Sequence, residues 1–324
     1  MKELIAVLPA LPEGNGLAAE YPGDVGIGDD AAVVFADGFE DLDDPLLETS
    51  AYPQKGNQWD SAWGTVRITR EPENVHSGRQ AIEITHTEPR SHGAEKRLDP
   101  GYDRLFLRYY MKYAKEYPGC HHTGMAIEGA VLGVTIGCST GIRPDGRNHF
   151  TALMDTMPTW TGASPEPPGY MDIYCYHMDQ GRKWGDIFYP TGEIHPRENE
   201  GLFGGEFVAR PKLMAERARW VCYELMVEAN TPGRRDGRVA FWVDGKLAGD
   251  FPNLRLRSVE ILKANYLILV SYSSSRHEHV THWYDDIVAA TSYIGPQVDA
   301  SGAHHLPAPD PPQEDGLSSA ARSN

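Results

Sequence analysis

Apolar and polar residues alternate with a period of two over much of this chain, and seldom with the period of a helix. The stretch YMDIYCYH (170–177) shows it most clearly. In an extended strand, Met171, Ile173 and Cys175 fall on one side, and Tyr170, Asp172, Tyr174 and Tyr176 on the other. RLFLRYYMKY (104–113) opposes Leu105, Leu107, Tyr109 and Met111 to Phe106, Arg108, Tyr110 and Lys112. HFTALMD (149–155) opposes Phe150, Ala152 and Met154 to His149, Thr151, Leu153 and Asp155. Further strands are predicted at 31–35, 64–70, 79–85, 130–137, 219–229, 238–247, 265–272 and 282–291. The Asp-Gly turns in RPDGR (143–147), RRDGR (234–238) and VDGK (243–246) supply positive-φ positions, and the last has the form of a tight hairpin. A helical turn or two is expected only at KLMAERA (212–218).

Many short strands and almost no helix predict an all-β sandwich of two antiparallel sheets, a jelly roll with one concave outer face free to act as a groove. The expected organisation is an irregular arm over 1–30, a β domain over 31–295 and a disordered Pro-rich tail over 296–324.

Composition narrows the function. The 33 glycines and 24 prolines fit a turn-rich chain of 324 residues, and a formal charge of −16 argues against nucleic acid or an anionic membrane as partner. No apolar run is long enough to span a bilayer. The N-terminal MKELIAVLPAL is interrupted by Glu3 and Pro9 and makes a poor secretory signal. Cys120, Cys138, Cys175 and Cys222 lack zinc-ligand spacing and read as small buried residues, with a Cys120–Cys138 disulfide as the alternative.

The three alternating strands carry Tyr, Arg, Lys, His and Asp where a solvated face would carry Lys, Glu, Thr and Ser. Aromatic rings beside fixed polar groups suit a sugar chain, so a glycan groove is the expected site. The histidines in the loop GCHHTGM (119–125) diverge and lack a third ligand, and those of RHEHVTH (276–282), with His277, His279 and Thr281 in phase, read as an exposed polar edge. Nucleophile-elbow, P-loop and zincin motifs are absent, as is the alternating acid run of jelly-roll retaining glycosidases.

The order of segments resembles the concanavalin A-like jelly-roll polysaccharide lyases, in particular the alginate and glucuronan lyases of families fourteen and twenty. The likeness spans about residues 30–295: LFLRYYMKY, PGCHHTGM, RPDGR, HFTALMD, DIYCYHMDQ, RWVCYELMVEANTPGRRDGRVAFWVDGK and YDDIVAATSYIGP. It implies β-elimination on a uronic-acid-containing polysaccharide, without a required cofactor, outside the cell or in the periplasm. Carried over by position, Tyr174 and Tyr176 match the family's Tyr-x-Tyr strand, and His121 falls where the family has its catalytic lysine. The family's Ser-x-Arg pair falls on Thr151 and Leu153, so the arginine is absent; Arg108, Arg90 and His149 are the candidates to take its place. The resemblance therefore implies Tyr176 as acid and base, Tyr174 as positioning residue and His121 as base or carboxylate partner. Arg108, Tyr110, Lys112, His149, Thr151, Asp172 and Arg90 would bind substrate. Glu40, Asp285 and Asp286 sit where related sandwiches can hold a structural calcium. Two other readings stay open: a non-catalytic carbohydrate-binding module, and a hydrolase drawing carboxylates such as Asp155 and Asp172 from separate strands.

Overall fold

A computed structural model describes residues 9–42, 46–47, 58–131, 140–157, 164–196, 201–274 and 280–303. The described chain forms a jelly-roll sandwich. One sheet has the strand order β15 (Lys246–Leu254), β14 (Gly237–Val243), β13 (Trp220–Glu228), β7 (Arg104–Tyr113), β17 (Val280–Ala290), β5 (Ala81–His86), β4 (Val66–Thr69) and β2 (Leu46–Leu47), and β1 (Val33–Asp37) adds to β17. The other runs β12 (Ile194–His195), β11 (Asp186–Phe188), β10 (Tyr170–Tyr176), β9 (His149–Met157), β8 (His122–Ala130), β16 (Ala264–Tyr272), β6 (Ser91–Tyr102) and β3 (Ser61–Trp63). All of these strand pairs are antiparallel.

The alternation seen in the sequence selects what lies between the sheets. Leu105, Leu107, Tyr109 and Met111 of β7 share one core with Phe150, Ala152 and Met154 of β9 and Met171, Ile173 and Cys175 of β10. Burying such side chains is worth roughly 1.5–3 kcal/mol each. The VDGK hairpin joins β14 to β15 with Asp244 and Gly245 both at positive φ. At RRDGR, by contrast, Gly237 already opens β14, and Asp236 serves as an acceptor for the Thr231 N–H at 2.7 Å.

Several expectations fail for physical reasons. KLMAERA is extended: Met171 N–H donates to Leu213 O and Ala215 N–H to Gly169 O, so the segment spends its backbone on the neighbourhood of β10. The loop GCHHTGM becomes strand from His122 onward, and the strand expected at 130–137 begins as β8 ends, with 132–139 outside the described residues. Cys120 is a buried free thiol with Thr123 Oγ1 at 2.6 Å, not half of a disulfide; Cys138 lies outside the described residues.

The expected arm is a strap. Ala18 and Ile27 pack on Phe106, Met226, Trp242 and Val288, on the outer face of the nine-stranded sheet, together with Tyr293 and Ile294. Trp242 Nε1–H donates to Pro12 O at 2.8 Å, and Ala18 N–H to Ile294 O at 2.8 Å. The end of the β domain also runs on past 295: Val298 is buried and accepts the Gly23 N–H at 2.8 Å. The outer face of the eight-stranded sheet has no such cover among the described residues, and its half-buried Trp63, Tyr174, Tyr266 and Val270 mark it as the open groove. No helix among the described residues is long and apolar enough to cross a membrane.

Candidate active site

The register of the eight-stranded sheet decides which side chains meet in the groove. Tyr176 pairs with Thr151, Thr151 with Glu128, Glu128 with Tyr266, and Tyr266 with Arg97, forming one row across five strands. Tyr174, Leu153, Ala126, Ile268 and Glu95 form the next. Asp172 pairs with Asp155, and His122 with Tyr272, toward the other end of the strands.

His122, rather than His121, stands against the tyrosines. Its ring lies 4.5 Å from that of Tyr174, and its Nδ1 is 2.6 Å from Asp155 Oδ2. Asp155 is fully buried, and its other oxygen accepts the N–H groups of Thr123 at 2.9 Å and Thr156 at 2.7 Å. A carboxylate held by three donors fixes both the tautomer and the tilt of the ring, leaving Nε2 as the outward atom. Gly124, between His122 and Ala126, sits at φ 146°, where an added Cβ would run into Met154 O of β9.

The tyrosine hydroxyls form a short chain of hydrogen bonds. Gly185 N–H donates to Tyr174 Oη at 3.2 Å, Tyr174 O–H donates to Tyr176 Oη at 3.3 Å, and Gly141 N–H donates to Tyr176 Oη at 3.0 Å. Tyr176 Oη thus receives two bonds and keeps its own proton to give away. Burial pushes the Tyr174 phenol well up, and the neighbouring Tyr176 adds to this, which keeps Tyr174 neutral. Arg182 acts in the opposite sense, and its guanidinium donates to Gly185 O at 3.2 Å. The loop carrying Arg182 is pinned by fully buried Gln180, whose amide donates to Arg182 O at 3.0 Å and Trp184 O at 3.1 Å.

The remaining expected residues divide between the sheets. His121 is set back from the tyrosines, with Nδ1 3.1 Å from Ser274 Oγ and its ring 5.2 Å from Tyr272; burial and His122 push it down to about 4. His149 lies 6.1 Å ring to ring from Tyr176, donates Nε2–H to Ile142 O at 3.1 Å, and is held below its ordinary range by burial. Thr151 and Asp172 share the groove side of the sheet and are both buried. Arg90 is exposed beside Ser91 at the Tyr272 end, its carbonyl accepting the Ser273 N–H.

Arg108, Tyr110 and Lys112 do not belong to this groove. They sit on the outer face of β7 in the opposite sheet, Arg108 against the strap, Tyr110 stacked on His76 and Lys112 against residues 73–74. Arg108 is fully buried and paired with Asp24, Tyr110 Oη accepts the Gln297 N–H at 2.8 Å, and Lys112 Nζ reaches Asn74 Oδ1 at 3.2 Å. Both faces of β7 are buried, so its polar row serves the protein's own packing.

The carboxylates expected to hold calcium are occupied by protein donors. Asp285 Oδ2 accepts the N–H groups of His76 and Ser77, Asp286 lies 2.6 Å from His76 Nδ1 and accepts Ser77 O–H, and Glu40 accepts the N–H groups of Arg79 and Gln80. A hard cation needs these oxygens free, so the donor set fits a hydrogen-bonded turn rather than calcium. No group of three or more His, Cys, Asp or Glu is placed to hold a metal among the described residues. His277 and His279 lie outside the described residues, while Thr281 meets Thr85 at 3.0 Å. The pair proposed for hydrolysis, Asp155 and Asp172, are direct cross-strand neighbours and both fully buried. Glycosidase carboxylates must reach the scissile bond from its two sides, and two side chains fully buried in the sheet surface do not reach it.

Sequence reasoning missed His122, although counting by twos from Ala126 and Glu128 reaches it. It also missed Arg182 and Trp63, in segments without a distinctive pattern, and Tyr266, which lies on the predicted strand 265–272 among apolar residues on both faces.

No protein-family model matches the chain, and no curated protein matches it in sequence. Solved structures do. Alginate lyase Aly36B aligns with a TM-score of 0.54 at 14% identity, over 80% of this chain and 98% of that one. The marine family-14 alginate lyase from Aplysia kurodai gives 0.53 at 13% identity, over 81% and 100%. Alginate lyase vAL-1 from Chlorella virus gives 0.50 at 11% identity, over 76% and 98%. At such identities the likeness is one of fold: the chain has the jelly-roll sandwich that these alginate lyases share.

Proposed function

We propose that the protein is a polysaccharide lyase that cleaves a uronic-acid-containing glycan by β-elimination at the His122–Tyr176 site. The observation that carries this is a base with its orienting carboxylate, His122–Asp155 at 2.6 Å, beside a tyrosine pair whose hydroxyls are 3.3 Å apart. The fold points the same way: Aly36B, one of the structural neighbours, has been captured as a mutant in complex with alginate trisaccharide.

The steps follow from the groups present. His122 Nε2 takes the C5 proton of a uronate, and Asp155 stabilises the imidazolium that results. The C5 electron pair forms the C4–C5 double bond, and the bond from C4 to the glycosidic oxygen breaks. Tyr176 O–H protonates the departing oxygen. Tyr174, kept neutral by burial, holds Tyr176 in line. Arg182, whose charge acts on Tyr174, is the cation that would offset the uronate carboxylate while the enediolate develops. It occupies a different element from the arginine of the resembled family, whose position here is Leu153.

The test is a panel of uronate-containing glycans followed by the ultraviolet absorbance of the unsaturated uronate product. Elimination produces the chromophore, whereas hydrolysis yields reducing ends without it. Tyr176→Phe is expected to lower kcat by about 10²–10⁴ with little change in KM. An unchanged rate in that variant removes Tyr176 from the mechanism, and no chromophore from any glycan of the panel removes the lyase reading.

A further inference from the structure

The groove has a second end that the elimination chemistry does not use. Trp63, on edge strand β3, is seated over Gly93, where a Cβ would come within 2.9 Å of its Cζ2, and its Nε1–H donates to Ser91 Oγ at 2.8 Å. Trp63, Tyr174, Tyr266 and Val270 all pack on one floor of Ala126, Leu153 and Ile268. That floor runs unbroken from the tyrosine pair to the sheet edge. Between β10 and β3 lie β9, β8, β16 and β6, so the span is about 24 Å at ~4.8 Å per strand step, room for several pyranose rings.

Charge changes sign along this floor. Arg182 stands beside Tyr174, and with Lys212 it also acts on His195. At the Trp63 end the groove face carries Glu95, which accepts Ser61 O–H at 3.0 Å, and Glu128 follows on β8, midway along the floor. Glu128 is 2% exposed, and its Oε2 has no hydrogen-bond partner among the described residues. Burial and the charge of Glu95 push its carboxyl up to about 8, the Thr151 hydroxyl opposing them. Of the cations near this end, Lys96 lies 3.6 Å from Asp60 and Arg97 lies 3.9 Å from Asp99, while Arg90 acts on His92, on the other side of β6 from Glu95.

We infer that the groove takes a heteroglycan, with a uronate between His122 and the tyrosine pair and a neutral sugar stacked on Trp63. This rests on the elimination reading above. A second uronate at Trp63 would bring its carboxylate against Glu95, a repulsion of like charges in a partly desolvated groove. A neutral pyranose offers its C–H face to the indole and hydroxyl donors to Glu95. A homopolymer of uronates has no such unit to offer.

The experiment is a titration of the full chain carrying Tyr176→Phe, so that nothing is cleaved. The probes are two oligosaccharides of equal length, one alternating uronate with neutral hexose and one made of uronate alone. The mixed oligosaccharide is expected to bind about tenfold more tightly. Trp63→Ala removes that preference, Trp63→Phe keeps most of it, and Glu95→Gln tightens binding of the homopolymer several-fold. Equal affinities for the two probes, or a preference untouched by Trp63→Ala and Glu95→Gln, overturn the inference. The readout is binding, so absence of elimination in the unmutated protein would sink the lyase reading alone. Elimination accompanied by equal affinities would sink only the heteroglycan.

Discussion

Replacing His282 by phenylalanine should flatten the acid limb of the protein's stability curve. His282 lies between the sheets, fully buried, with Tyr113, Tyr117 and Tyr284 rings 5.4–6.3 Å away. Neither of its ring nitrogens has a hydrogen-bond partner among the described residues. Two more histidines share this space: His86 stacks on His92 at 4.2 Å, and His92 Nδ1 accepts the Thr65 N–H at 2.8 Å. Burial first, then the charges of His86 and Arg90, push His92 down to about 4; burial, His86 and His92 hold His282 well below the ordinary range.

A folded-state pKa below the unfolded value of about 6.5 means that the unfolded chain gains a proton the fold refuses. The stability these histidines confer is therefore complete above pH ~6.5 and is lost as pH falls through the window toward 4. Each group removes about 1.4 kcal/mol per pH unit, so His92 alone costs about 3 kcal/mol by pH 4, and His282 adds its own slope over the same range. Against a typical 5–15 kcal/mol, the pair is decisive. Urea unfolding at a series of pH values measures this directly. His282→Phe forfeits no hydrogen bond, so it should match the parent near pH 7 and reduce the slope below pH 6 by about 1.4 kcal/mol per pH unit. A parallel curve for the variant would show that His282 takes no part in acid unfolding, and the linkage argument would fail.

Two further outcomes test the site and the strap. Asp155→Asn keeps its oxygen on the Thr123 and Thr156 amides and turns its NH2 toward His122 Nδ1, which puts the ring proton on Nε2; kcat should fall by about 10²–10⁴ with KM close to the parent's, as steady-state kinetics checks. Arg108→Met leaves Asp24 buried without its guanidinium and should cost about 3–5 kcal/mol in denaturant unfolding, while kcat, set on the other sheet, stays as it was.

How far this molecule could be read from its sequence depended on whether the two sides of a strand differ. β10 has a core side and a groove side, so Met171, Ile173 and Cys175 separate cleanly from Tyr174 and Tyr176. β8 could not be seen, because its outward residues Gly124, Ala126 and Ala130 are too small and apolar to alternate with Met125 and Ile127. The same blindness exchanged His121 for His122: in adjacent residues, only the phase of the strand tells which ring meets Asp155. β7 misled in the opposite way. Its Arg108 and Tyr110 resemble a ligand row, but which sheet a strand joins is fixed by long-range pairing, here with β13 and β17. The strap that buries them comes from a stretch whose Gly- and Pro-rich sequence carries no period at all.

Asp155 belongs at once to the ladder and to the chemistry. The oxygen that does not meet His122 closes the backbone of both strands, through Thr123 of β8 and Thr156 of β9. Any excursion that parts these strands also frees the imidazole, and any change in the carboxylate's charge is felt by the two amides. Amide exchange at Thr123 and Thr156 is thus a gauge of the proton's whereabouts, readable without substrate or product.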